Sequence, residues 1–154
     1  MRLTEILDLE CVKVPLEATE KESAVNELVD VLCDHKGIAN REELKQAIWQ
    51  REQTRTTGIG HGVAIPHGKC AGPKQLIMAI GRPGRPIDFN AIDGHPVDLI
   101  FLLASPQDQT GPHIQALATI SRMLINTDFR SAVKRAASGA ELYRIIQEEE
   151  AKAS

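Results

Sequence analysis

A chain of 154 residues with 42% hydrophobic and 25% charged residues is one globular domain, long enough to bury a core without disulfide or metal staples. Its formal net charge of -3 excludes general affinity for nucleic acid or anionic membrane, and an aromatic content of 3% excludes a base-stacking platform. Cys11, Cys33 and Cys70 are odd in number and widely spaced with no CxxC, so they read as buried or free thiols in a reducing compartment.

The first residues, MRLTEILDLE, are too acidic for a signal peptide, and the longest apolar run, LIFLLA, is far short of the ~20 residues that span a bilayer. A cytoplasmic protein with no membrane insertion is expected. After a short helical turn at Thr4–Leu7, the alternation of Val12, Val14 and Leu16 predicts a first strand, which Pro15 places at an edge or strand end. Thr19 and Glu22 have the spacing of a capping box before the helical stripe Val25, Leu28, Val29 and Leu32, which Gly37 ends. Asn40 and Glu43 open a second helix with the stripe Leu44, Ala47 and Ile48, and seven residues after Leu44 that seam ends on Arg51. A guanidinium keeps its charge and carries five donors, so Arg51 either caps helix carbonyls or meets an anion.

The segment Thr56–Lys69, TTGIGHGVAIPHGK, is too irregular for a helix and too rich in glycine for an ordinary core strand. Leu76–Ile80 predicts a buried strand, GRPGRP a turn, Ile87–Phe89 a short extended piece, Asp93-Gly94 a tight turn, and Val97–Ala104 the central strand. Thr110 is the expected N-cap of the next helix, with Pro112 in its first turn and Ile114, Leu117, Ser121 and Leu124 facing inward. A shorter helix over Phe129–Ala136 follows. Ser138 and Glu141 cap a last helix carrying Leu142, Ile145 and Ile146. The domain is expected to span residues 1–148, with 149–154 as a frayed tail. One strand, two helices, a group of strands and three helices predict an α/β fold: a single mixed parallel/antiparallel sheet flanked by helices on both faces.

Among His61, His67, His95 and His113 no pair has the i, i+4 spacing of a zinc helix and no carboxylate completes a ligand pattern, so no metal is expected. The glycines lack a following Gly-Lys-Ser/Thr, and Pro66 comes too soon after Gly62 for a nucleotide-binding helix; they allow close backbone approach by a partner or an anion. His113 falls in the first turn of a helix beyond the carboxyl end of the central strand. There a neutral imidazole can donate to a phosphoryl oxygen, or the residue is simply a capping or core-edge histidine. His67 is held by the rigid Pro66 and flanked by Gly68, which is expected to leave the imidazole open. It suits phosphoryl acceptance, although spacing alone does not separate that from general acid–base catalysis.

The stretch QREQTRTTGIGHGVAIPHGK (Gln50–Lys69), with PIDFNAIDGHPVDLIFLLASP and HIQALATISRMLIN, resembles the enzyme IIA domains of the fructose–mannitol class of the bacterial phosphoenolpyruvate:sugar phosphotransferase system. That class includes the nitrogen-regulatory IIA proteins, and the resemblance runs from about Leu3 to Leu142. It implies that His67 takes a phosphoryl group from phospho-HPr, that His113 lies beside it and interacts with that group, and that Arg51 is a phosphate ligand. Thr57 matches a small hydroxyl residue and is a further candidate phosphate donor. No metal, nucleotide or other cofactor is implied.

The acceptor would be a IIB domain or a regulatory target protein. With no attached IIB-like, HPr or membrane segment, the regulatory nitrogen type is the expectation, and a sugar-specific fructose/mannitol-type IIA the alternative. A non-catalytic partner-binding regulatory module is the alternative from another class. His61 reads as a surface or partner-facing group, His95 as solvated, and Lys69 as a solvated lysine or a rim charge for an acidic partner. The surface facing HPr is expected to be a modest apolar patch around GIGHG.

Overall fold

The computed structural model describes residues 1–153. A 3-10 turn at Leu3–Glu5 precedes β1 (Leu7–Leu16), helices α1 (Lys21–Lys36) and α2 (Arg41–Thr54), and three short strands, β2 (Gly58–Gly60), β3 (Val63–Ala64) and β4 (His67–Lys69). Strands β5 (Ile77–Pro83) and β6 (Leu99–Ser105) follow, then helices α3 (Thr110–Ile125), α4 (Thr127–Arg135) and α5 (Gly139–Ala153). The sheet runs β1-β5-β6-β3-β2, with β4 also paired to β6. The β1/β5, β3/β6 and β4/β6 ladders are parallel, while β5/β6 and β2/β3 are antiparallel. This is the mixed sheet that the element order predicts.

Every residue of β6 is buried, including those whose side chains alternate between the two faces. A strand that reads apolar throughout needs cover on both sides. Helix α1 packs on β1 and β5 through Ala24, Val25, Leu28, Val29 and Leu32, and α5 also lies against β1. Strand β1 is an edge strand, as Pro15 requires, but it begins at Leu7, where a helical turn is expected from the sequence; the turn is shorter and lies at Leu3–Glu5. Ile87 pairs with Val97 in an isolated bridge, which is the short extended piece.

Several helix starts differ from the sequence pattern. Glu20, not Thr19, is the N-cap of α1, and no side chain bonds to that helix start. Asn40 caps α2 by position but without a side-chain hydrogen bond. Gln109 is the N-cap of α3, and Thr110 is the first helical residue. Ser138 does act near the start of α5: its Oγ accepts from Glu141 N at 3.1 Å, and Glu141 Oε2 accepts from Ala137 N at 3.1 Å.

Two further expectations are corrected. The inward face of α3 is His113, Ala116, Thr119, Ile120 and Leu124, whereas Ile114 is 61% exposed and Ser121 is exposed. Polar residues can occupy this face because each finds a partner: Thr119 Oγ1 donates to Gln115 O and His113 bonds to Ser105. The segment expected to fray is helical as far as Ala153; Ser154 lies outside the described residues. Within it, Glu150 is buried, and its carboxylate accepts from the backbone N–H of Leu3 and from Thr4 Oγ1, the latter at 2.8 Å.

Candidate functional site

Strands β3 and β4 are two halves of one strand laid along β6. Val63 and Ala64 align with Leu99 and Ile100, and His67, Gly68 and Lys69 align with Leu103, Ala104 and Ser105. Ile65 and Pro66 interrupt it. Pro66 has no N–H to donate, but its carbonyl accepts from Leu103 N at 3.0 Å, so the parallel register resumes at His67. The ring of His67 turns back on this break, and its Nδ1 lies 2.8 Å from Ile65 O. A carbonyl only accepts, so Nδ1 carries the hydrogen and the lone pair sits on Nε2.

The ring of His113 stands beside that of His67, with centroids 5.0 Å apart and planes at 67°. His113 sits at the fourth residue of α3, whose start lies just beyond the carboxyl end of β6. It is 4% exposed; its Nδ1 is 3.0 Å from Ser105 Oγ, and its Nε2 is buried with no hydrogen-bond partner among the described residues.

Arg51 comes from the last turn of α2. Its Nη1 donates to Arg55 O at 2.9 Å, so the capping role that the sequence allowed is real. Arg51 also lines one pocket with His67 and His113, so capping does not take it away from a place where an anion could be met. What brings α2 there is Gly68: a Cβ at this position would lie 2.8 Å from Ile48 Cγ1 and 2.9 Å from Ile48 N. Gly68 therefore does not open the imidazole to solvent, as the sequence suggests. It is buried and lets α2 approach the strand.

Lys69 adds a second cation to this pocket, and its Nζ donates to Thr110 Oγ1 at 2.8 Å. Thr57 lies close by, lining an adjoining groove with Arg51, His67, Ile59 and Ile92, but its donors are directed elsewhere. Thr57 N donates to Glu52 Oε1 at 2.9 Å and Thr57 Oγ1 to Glu52 Oε2 at 2.5 Å.

Glu52, which sequence reasoning passed over, is 3% exposed and pairs with Lys21 Nζ at 3.0 Å. Lys21 Nζ also donates to Phe89 O at 3.1 Å. This carboxylate fixes the loop that follows Arg51. The signal was available: an acidic residue at a helix end, followed by two threonines able to donate to it.

His61 has φ 57° and is exposed, with its N–H donating to Asp93 Oδ2 at 3.1 Å and its carbonyl accepting from Lys134 Nζ. His95 is exposed on the neighbouring turn. Neither belongs to the cluster. Among the described residues no group of three or more His, Cys, Asp or Glu side chains is placed to hold a metal ion.

Burial is the main force lowering the pKa of His67, and the Arg51 and Lys69 charges add to it. Burial likewise pushes His113 down to about 4, with smaller contributions from His67 and Lys69. Two neutral imidazoles, one with a free lone pair, thus share a pocket with a guanidinium and an ammonium. Such a pocket suits a compact, multiply charged anion.

Comparison with known proteins fits this chemistry. Residues 5–149 match the family model described as phosphoenolpyruvate-dependent sugar phosphotransferase system, EIIA 2. The chain belongs to that family. As an EIIA 2 protein it is a phosphotransfer component of the system. The chain is 34% identical to a nitrogen regulatory protein of Bradyrhizobium diazoefficiens over 95% of both proteins. It is equally 34% identical to the fructose-specific EIIABC component of Bacillus subtilis, but there it spans 23% of the larger protein.

Among solved structures, the nitrogen regulatory protein IIA-Ntr from Neisseria meningitidis superposes with a TM-score of 0.84 at 32% identity, covering 92% of this chain and 97% of that one. IIA mannitol from Escherichia coli, at 18% identity and a TM-score of 0.75, covering 90% of this chain and 97% of that one, shares the EIIA 2 fold.

Proposed function

We propose that this EIIA 2 protein is a phosphohistidine carrier of the nitrogen-regulatory type, with His67 as the residue that receives the phosphoryl group from phospho-HPr. One observation carries the proposal: the half-buried His67 keeps its Nε2 lone pair free, while Arg51 and His113, whose buried Nε2 has no partner among the described residues, line the same pocket. The Nε2 lone pair attacks phosphorus, a nitrogen–phosphorus bond forms, and the donor's bond to phosphorus breaks with its electron pair returning to the donor. Position and charge do the catalytic work, because the transition state is loose and its charge is spread over the phosphoryl oxygens.

Arg51 and Lys69 neutralise that charge, and His113 donates to a phosphoryl oxygen. Thr57 has no donor left for the phosphoryl group and serves by holding the loop through Glu52. Exposed Ile59 and Ile92 line the groove adjoining the site and suit a weak, transient docking face for HPr and for the acceptor. The work takes place in the cytoplasm.

The regulatory type is favoured because IIA-Ntr superposes more closely, and at higher identity, than the mannitol protein. The fructose-specific relative, at 34% identity, supports the second reading, a sugar-specific IIA that donates to a IIB domain. A IIA mannitol protein of Escherichia coli is known in complex with phosphorylated IIB.

Incubation with phosphoenolpyruvate, enzyme I and HPr, read by intact mass, tests the carrier. One acid-labile phosphoryl group should be gained, and none by His67→Ala. No gain by the wild-type chain overturns the proposal. Rapid delivery to a fructose- or mannitol-type IIB would replace the regulatory type with the sugar-specific one.

A further inference from the structure

One buried hydroxyl in the site has no part in the mechanism above. Ser105 is the last residue of β6, fully buried and aligned with Lys69, and its carbonyl accepts from Cys70 N at 3.1 Å. Its Oγ has one hydrogen-bond partner among the described residues, His113 Nδ1 at 3.0 Å. Both ends of this pair are out of solvent.

A neutral imidazole carries its hydrogen on one nitrogen or the other, and the two tautomers serve this pair differently. With the hydrogen on Nδ1, His113 donates to Ser105 and the hydroxyl's own hydrogen is left buried without an acceptor. Nε2 would then present a lone pair to the pocket, which repels phosphoryl oxygens. With the hydrogen on Nε2, the hydroxyl donates to Nδ1, so both of these atoms are satisfied. Nε2–H is then the one unmet donor of the pair, on a residue that lines the pocket with His67 and Arg51. A buried polar group left unpaired costs its full desolvation; the first arrangement leaves two such groups and the second only one, which an acceptor entering the pocket would satisfy, so the second arrangement wins.

We propose that Ser105 is a positioning residue: by donating its Oγ–H to His113 Nδ1 it fixes the Nε2–H tautomer and holds that donor ready for a phosphoryl group on His67. The second half rests on the phosphocarrier proposal; the tautomer itself does not. Burial keeps His113 neutral at neutral pH, so the tautomer, and not a change of charge, decides what Nε2 offers. Rotation of a serine at the end of a central strand is restricted by packing on both faces, so the control is built into the sheet.

Long-range 1H–15N correlation spectra of the full, unphosphorylated, 15N-labelled chain at neutral pH test this, with His113 signals assigned by their loss in His113→Gln. The wild type should show Nε2–H with an unprotonated Nδ1. Ser105→Ala, which removes only the hydroxyl, should show a mixture of both tautomers while remaining folded. A wild-type signal of Nδ1–H, or an Nε2–H tautomer untouched in Ser105→Ala, overturns the assignment to Ser105.

The same two proteins are then charged with phosphoenolpyruvate, enzyme I and HPr. Ser105→Ala should take up its phosphoryl group roughly tenfold more slowly, the effect of weakening one hydrogen bond to a charged group. Equal rates despite altered tautomers overturn the link to transfer. No uptake by the wild type sinks the phosphocarrier reading and leaves the tautomer result standing.

Discussion

Gly68 and Ile48 lie so close that a single methyl group on the glycine would come within 2.8 Å of Ile48 Cγ1 and 2.9 Å of its backbone nitrogen. Three residues after Ile48 comes Arg51, so the gap between a strand and a helix sets the distance from guanidinium to imidazole. Gly68→Ala should cost about 1–3 kcal/mol of stability by overpacking and slow phosphoryl uptake together. Urea denaturation and a timed mass assay read the two effects. Wild-type values in both would mean that α2 does not need this contact.

Arg51→Ala removes the charge proposed to meet the phosphoryl group and one bond to the Arg55 carbonyl. The lost cap should cost about 0.5–1.5 kcal/mol, whereas loss of the charge should slow uptake on the order of 10²-fold or more. Far-UV circular dichroism should remain that of the wild type. A rate within twofold of the wild type would leave Arg51 with its capping role alone.

Glu52→Ala leaves Lys21 without its carboxylate and both donors of Thr57 without an acceptor. Breaking such a buried pair should cost about 3–5 kcal/mol. Glu52→Gln, which keeps an acceptor, should cost less. Combining Glu52→Gln with Lys21→Met should be less than additive in thermal unfolding, because the second change removes the ammonium that the first strands.

His113 makes stability depend on pH. The unfolded chain's imidazole takes a proton near 6.5, the folded one only near 4. Between those values the unfolded state binds more protons, so stability falls as pH drops from 6.5 towards 4, and this group adds no slope outside that window. The full effect is roughly 3 kcal/mol. Unfolding midpoints of the wild type and His113→Gln, measured from pH 7 to 4, should diverge in that window. Parallel curves would show that His113 titrates normally.

How much of this was legible depends on whether a signal is local. The stripes of α1 and α2, the apolar run of β6 and the Ser138–Glu141 cap are written in neighbouring residues, and they form. The face of α3 was misjudged because Ile114 looks like core and a histidine in the first turn like a cap or core-edge residue. Ser105, eight residues away, instead provides the partner that lets this imidazole be buried. Glu52 resembles a solvated helix-end acid until Lys21, 31 positions earlier in the chain, is seen to reach it. Arg51 and His67 were found as an out-of-place charge and a rigidly mounted ring. That a glycine's missing side chain brings them together is visible only once a strand and a helix are packed.

The split strand ties the site to the centre of the molecule. Leu103 N holds Pro66 O on one side of His67, and Cys70 N holds Ser105 O on the other, so the ring is pinned between two rungs of the central ladder. The backbone of His67 can leave its place only if those rungs open. Heat or denaturant should therefore leave no intermediate that is folded yet unable to accept: competence and native structure vanish in one transition, and the amides of Leu103 and Cys70 should exchange with deuterium as slowly as any in the chain.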